Sequence, residues 1–171
     1  MNILDIAKQR FSARSYINKE VPQEILDVIL ETAHVAPTAA NLQPVKLLVV
    51  KSDESKEKLA KAANVYNAPI AIIVCSDTSK AWTRPFDGMK TTDIDASILT
   101  DHMMLAATEQ GLGSVWICYF KPDVIKKEFD LPENLEPVNI LALGYTNEKV
   151  STLRHDSQRI PRSELVSYVK V

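Results

Sequence analysis

Apolar residues recur along the chain with two periods, one helical and one strand-like. Ile3, Leu4, Ile6 and Ala7 predict a helix over residues 2–9, with Asn2 as its N-cap. Ile25, Leu26, Val28, Ile29 and Ala33 predict a second helix over 22–34, and Pro22 suits its first turn. His34 at its end reads as structural, because a donor or cation there suits a helix C-terminus. A charged helix follows Ser52 and runs to about Ala63. Continuous apolar runs of strand length lie at 46–51, 70–76, 114–120 and 138–143. Between the second and third of these, Thr92-x-x-Asp95 reads as a capping box that opens a long helix over 93–110. Ile94, Ile98, Leu99, Met103, Leu105, Ala106 and Ala107 leave that helix little polar surface, which suits a core or an interface. Gly111-Leu112-Gly113 ends it. Pro122 opens a short helix to about Phe129, and a last one is expected near 163–168. Segments 78–91 and 147–161 show neither period and read as loops.

At 171 residues the chain fits one domain, 1–171, with a full hydrophobic core. A net charge of −2 gives no electrostatic case for nucleic acid or an anionic membrane surface. The longest apolar run, around Ala68–Cys75, is too short to span a bilayer. The opening residues, Met1-Asn2-Ile3-Leu4-Asp5, lack the basic start and apolar core of a signal peptide. Cys75 and Cys118 both lie in apolar runs and are expected to be reduced, buried thiols, which places the protein in the cytoplasm. No Cys or His spacing resembles a zinc site. Glycine occurs only at 88, 111, 113 and 144, in neither dinucleotide-fold nor P-loop spacing, so a bound nucleotide would sit without a Gly-rich loop.

Candidate chemistry gathers first at Arg10-Phe11-Ser12-Ala13-Arg14-Ser15-Tyr16. Each guanidinium is a permanent planar fork that matches phosphate or carboxylate. On one helical turn Arg10 and Arg14 would share a side, and nearby backbone N–H groups would join them around one anion. A solvated basic turn is the alternative. The loop Ala36-Pro37-Thr38-Ala39-Ala40-Asn41-Leu42-Gln43-Pro44 offers N–H groups, a hydroxyl and two amides, either as a binding loop or as an ordinary connection. Trp82, Pro85, Phe86 and Gly88 in the 78–91 segment would line a substrate mouth or pack as a lid. Asp95, Asp101 and His102 form no catalytic set, and no Ser/His/Asp or paired-carboxylate constellation is evident.

These pieces, in this order, resemble the flavin-dependent nitroreductase family over essentially the whole chain, from Arg10 to Val166. Arg10-x-Ser12-x-Arg14-x-Tyr16 resembles its N-terminal Arg-x-Ser-x-Arg/Lys-x-Tyr/Phe segment. Ala36–Pro44 is similar to its Ala-Pro-Ser-x-x-Asn-x-Gln-Pro loop. Gly111-Leu112-Gly113-Ser114-Val115-Trp116-Ile117 resembles the segment after its central helix. Leu141-Ala142-Leu143-Gly144-Tyr145 and Arg159-x-Pro161-x-x-Glu164-Leu165-Val166 follow in the family's order. Phe11, Val45 and Cys118 depart from residues common in the family, and the insertions that enclose substrate in larger members are missing.

The resemblance implies an α+β fold, with a mainly antiparallel central sheet flanked by helices, in an intertwined homodimer carrying FMN at its interface. It implies that Arg10, Ser12 and Arg14, beside Phe11, hold the FMN phosphate and neighbouring groups, with Arg159 adding a third charge. Pro37, Thr38, Ala39 and Asn41, and less directly Gln43, would reach the flavin from the other subunit. Ile117 and Cys118 would lie by the ring, touching it through the backbone and not the thiol. The activity implied is hydride transfer from NADH or NADPH through FMN to a small acceptor such as a nitroaromatic or quinone, with no protein nucleophile or base. A flavin carrier or sensor without nicotinamide turnover is the alternative. A relative doing flavin fragmentation or dehalogenation would need a longer lid than 78–91.

Overall fold

The computed structural model describes residues 2–169. Helix α1 spans Ile3–Gln9, and Asn2 Oδ1 caps it by accepting the Asp5 N–H at 3.0 Å. Helix α2 spans Gln23–His34 with Pro22 as N-cap. A short 3-10 helix at Ala39–Asn41 leads into strand β1, Val45–Val50. Ser52 caps helix α3, Asp53–Ala60, by accepting the Ser55 N–H at 3.3 Å. Strand β2, Ile70–Asp77, precedes the long helix α4, Thr92–Glu109. Strand β3, Gly113–Ile117, helix α5, Pro122–Glu128, and strand β4, Leu135–Gly144, complete the body. The tail carries helix α6, Arg154–Ser157, and helix α7, Arg162–Leu165.

The four strands form one antiparallel sheet in the order β1-β2-β4-β3. Leu48, Ile73, Ile140 and Ile117 pair in a row across it. Neighbouring positions Val49, Ile72, Leu141 and Trp116 form the row on the opposite face. The first face packs with Leu59 of α3 and Ile125 of α5, and the second with Ile29 of α2 and Met103 of α4. β2 is buried on both faces, which is why Ile70–Val74 is apolar without alternation. The result is the expected α+β architecture.

Several boundaries differ from the sequence expectation. α3 ends at Ala60 and not near Ala63, because Lys121 N–H takes the Ala62 carbonyl and Asn64 Oδ1 accepts the Tyr66 N–H in a competing turn. β4 begins three residues early, at Leu135 instead of Val138, and takes in Pro137. Pairing there slips from Val74↔Asn139 to Cys75↔Pro137, and such an irregularity accommodates a residue without an N–H. The Thr92–Asp95 capping box does not form: the N-cap is Thr91, whose hydroxyl donates to Asp95 Oδ2 at 2.9 Å. The 147–161 segment is not wholly irregular, since α6 lies in it.

α4 lies across the sheet through Ala96, Leu99, Met103, Ala106 and Ala107, all buried. Its other apolar residues are less covered: Ile94 is exposed, and Ile98 and Leu105 are half-buried.

Candidate functional site

β3 is an edge strand, and the segment after α1 closes on its free edge. Arg10 leaves the helical region (φ −54°, ψ 130°), and Ser12 forms a parallel bridge to Ser114. The Ala13 N–H donates to the Ser114 carbonyl at 2.9 Å, and Ala13 is fully buried. Alternation in an extended chain then puts Arg10, Ser12 and Arg14 together on the opposite side, with Phe11 sharing Ala13's side. This corrects the expected helical turn. The two arginines share a side because the chain is extended, and four extended residues place them about 13 Å apart. They therefore line a strip.

The strip is held from below. Tyr16 Oη donates to the Ala13 and Ala142 carbonyls, and burial and then Glu148 push its phenol above the ordinary range. The Glu148 carboxylate accepts the backbone N–H groups of Arg14 (2.7 Å) and Ser15 (3.1 Å). Gly113 lets the strip approach: a Cβ there would stand 2.6 Å from Thr146 Cγ2 and 2.8 Å from Ala13 Cβ. Ala13 has no rotamer to change, so the strip itself would have to move. Gly113→Ala is expected to destabilise the fold by about 1–3 kcal/mol. Denaturant unfolding checks this, and a wild-type midpoint would show that the strip is not packed on β3.

The two ends of the strip differ. At Arg10, burial and the neighbouring Arg154 and Arg159 lower the guanidinium's affinity for its proton, and Asp101 offsets part of this. Two like charges thus stand near Arg10, and one carboxylate offsets them only in part. At the other end the Arg14 guanidinium stands 6.0 Å from the centre of the Tyr66 ring. Asp101 also lines an open cleft of about 570 Å³ with Asp93, Ile94, Ser97 and Ile98 of α4 and Trp116 of β3. The cationic end of the strip therefore borders a largely apolar cleft.

The 36–44 loop lies elsewhere. The Ala39 N–H donates to Asp95 Oδ1 at 2.8 Å, at the start of α4, and the Gln43 N–H donates to Thr38 Oγ1 at 3.0 Å. Ala40, Asn41 and Gln43 all adopt positive φ, 50–56°, a costly conformation that marks a loop held in a defined shape. Pro37, Asn41 and Gln43 are exposed, while Thr38 and Ala39 are half-buried. This loop enters β1, at the far edge from β3, and three inter-strand spacings amount to about 14 Å. One chain does not bring it onto the arginine strip.

Ile117 is the last residue of β3 and is buried. Cys118 lies beyond the strand and is exposed, contrary to the expectation of a buried thiol in a strand reaching Phe120. The ladder with β4 stops at Ile117↔Ile140, and the chain turns away to place the Lys121 N–H on Ala62. Cys75 is buried as expected, and burial pushes its thiol up to about 12, so it is protonated at neutral pH. Arg154 and Trp116 were not read as site residues from the sequence, and Asp101 was weighed only in a catalytic set that it does not form. The one local signal was the basic run Arg154-His155 with Arg159 in an otherwise polar tail. Among the described residues no group of three or more His, Cys, Asp or Glu is placed to hold a metal ion, and no helix is long and apolar enough to cross a membrane.

The model of the nitroreductase family matches residues 7–65 and 61–145. The chain belongs to the nitroreductase family. A nitroreductase family protein from Clostridium difficile, known from its crystal structure, is 54% identical, superposes with a TM-score of 0.97 and is matched over 100% of both chains. A second structure from that organism, described as an FMN-dependent nitroreductase, is 28% identical with a TM-score of 0.73, over 92% of this chain and 97% of its own. A Methanothermobacter thermautotrophicus protein, described as a candidate NADH dehydrogenase/NAD(P)H nitroreductase, is 35% identical over 89% of this chain and 81% of its own length. Within this nitroreductase frame the strip, the cleft and the 36–44 loop carry the motifs read from the sequence.

Proposed function

We propose that this nitroreductase is an NAD(P)H-dependent FMN oxidoreductase acting on a small acceptor such as a nitroaromatic or quinone. The observation that carries the reading is the convergence of Arg10, Arg154 and Arg159 at one end of the apolar cleft. Like charges brought together, Arg10 and Arg154 half-buried and Arg159 exposed, are unfavourable until an anion joins them, so the donor set fits a phosphate. Arg10 and Arg159 would hold that phosphate, and Ser12 and Arg14 would follow the rest of the molecule along the strip. Ile117 and Cys118 at the end of β3 would border the ring through their backbone. When bound, the flavin supplies reversible hydride transfer between the nicotinamide and the acceptor. The chain's own part is to bind, orient and exclude water, which is consistent with the absence of a recognisable nucleophile–base pair from its sequence.

The test is purification, chromatography of any released chromophore, and anaerobic addition of NADH or NADPH. The expected protein is yellow, releases FMN and is bleached. A colourless protein that ignores added FMN would overturn the reading, and a bound flavin that neither nicotinamide bleaches would make it a carrier or sensor.

The working unit in this reading is a homodimer, because Pro37, Thr38, Ala39, Asn41 and Gln43 reach a flavin only from a second copy. The uncovered face of α4 at Ile94, and Leu153, Ile160, Leu165 and Tyr168 exposed on the tail, are the surfaces such a copy would bury. Unfolding should then shift to higher denaturant as protein concentration rises. A folded monomer in light scattering at micromolar concentration would refute the dimer.

A further inference from the structure

The tail seats α6 on the C-terminal end of α1. A helix end leaves carbonyls without intrahelical partners, and here the tail meets two of that segment's carbonyls. Arg154 Nη2 donates to the Arg10 carbonyl at 2.5 Å, and His155 Nε2 lies 3.1 Å from the Lys8 carbonyl. The other ring nitrogen, Nδ1, lies 3.4 Å from Arg159 Nε. The partners fix the protonation. A carbonyl oxygen only accepts, so Nε2 carries the hydrogen; an arginine Nε–H only donates, so Nδ1 carries the lone pair. His155 is therefore neutral in this arrangement. Arg159 uses its Nε–H on the ring, and among the described residues its two terminal nitrogens make no hydrogen bond.

The choice of a neutral acceptor has a physical reason. Arg159 is on an exposed segment and is repelled by Arg10, so unaided it would swing into solvent. A carboxylate at position 155 would restrain it but cancel the charge that an anion needs. An imidazole restrains it without adding negative charge.

We propose that His155 is a positioning residue: anchored on the Lys8 carbonyl, its imidazole holds the Arg159 guanidinium beside Arg10 so that the two grip the phosphate of a bound flavin mononucleotide. This rests on the assignment of that phosphate to Arg10 and Arg159. Riboflavin, which has the same ring and ribityl chain but no phosphate, separates positioning from general structural support.

The full chain, stripped of flavin, is titrated with FMN and with riboflavin, as wild type, His155→Leu, His155→Gln, Arg159→Ala and the His155→Leu/Arg159→Ala double variant. Wild type should prefer FMN. His155→Leu should lose about five- to twenty-fold in FMN affinity and keep its riboflavin affinity, the loss expected for one weakened charge-assisted contact. Glutamine supplies both an acceptor and a donor, so His155→Gln should recover most of the loss. In the Arg159→Ala background, His155→Leu should change FMN affinity little further. An equal loss for FMN and riboflavin, no loss of FMN affinity, or full additivity of the two substitutions would overturn the proposal. Should His155→Leu fail to fold, His155→Gln and Arg159→Ala still decide it: glutamine that lowers FMN affinity as much as Arg159→Ala sinks the idea. A wild type that binds FMN no better than riboflavin would instead overturn the phosphate assignment itself.

Discussion

On the proposed phosphate assignment, Arg10→Ala is expected to weaken FMN binding while leaving the flavin-free fold intact. The guanidinium is burdened by burial and by two like-charged neighbours, with only partial relief from Asp101. Its removal relieves repulsion, and the Arg10 carbonyl that Arg154 uses is retained by alanine. Flavin-free stability should therefore be unchanged or slightly higher. With FMN the sign reverses. A hydrogen bond to a charged group contributes roughly 1.5–3 kcal/mol net, so affinity should fall about ten- to a hundred-fold. Thermal melts with and without FMN, beside a flavin titration, read both effects. An unchanged dissociation constant would move the phosphate away from Arg10.

Asp95→Ala is expected to give a large loss of stability and to reach the site through the 36–44 loop. Asp95 is fully buried, and both its oxygens are in use, one by the Ala39 N–H and the other by the Thr91 hydroxyl. The substitution removes the acceptor of the half-buried Ala39 N–H and leaves the Thr91 hydroxyl only the Trp82 carbonyl at 3.4 Å. An unsatisfied donor costs about 1–3 kcal/mol, so a loss of about that size is expected from the Ala39 N–H, a large part of a typical 5–15 kcal/mol. The positive-φ residues Ala40, Asn41 and Gln43 would then lose a tether that holds them in a costly conformation. FMN retention should fall together with the denaturant midpoint. Asp95→Asn, which keeps one acceptor oxygen, should fall between. If Asp95→Ala unfolds at the wild-type denaturant concentration, the loop is held by something other than this carboxylate.

The elements the sequence determined are those whose signal is local. Asn2 and Ser52 cap their helices with side chains three residues from the N–H they accept. The unbroken run Ile70–Val74 follows from burial on two faces, and a strand in that position has few alternatives. The order of the motifs was enough to anticipate the family and its antiparallel α+β sheet. What tertiary structure decided were questions for which neighbouring residues offer two equal answers. Arg10 and Arg14 share a side on a helical turn and also in an extended chain, and only the bridge of Ser12 to Ser114 selects the second. Thr91 and Thr92 are equally able to cap α4, and Asp95, tied to Ala39 far upstream and to the Thr91 hydroxyl, fixes the N-cap at Thr91. Cys118 continues an apolar run, yet β3 ends one residue earlier because its ladder with β4 ends there. Arg154 showed no role until the tail folded back onto α1, since its partner carbonyl lies near the opposite end of the chain. Local propensity sets which elements form. Hydrogen bonds between distant segments set where they stop, and which charges are brought close enough to act together.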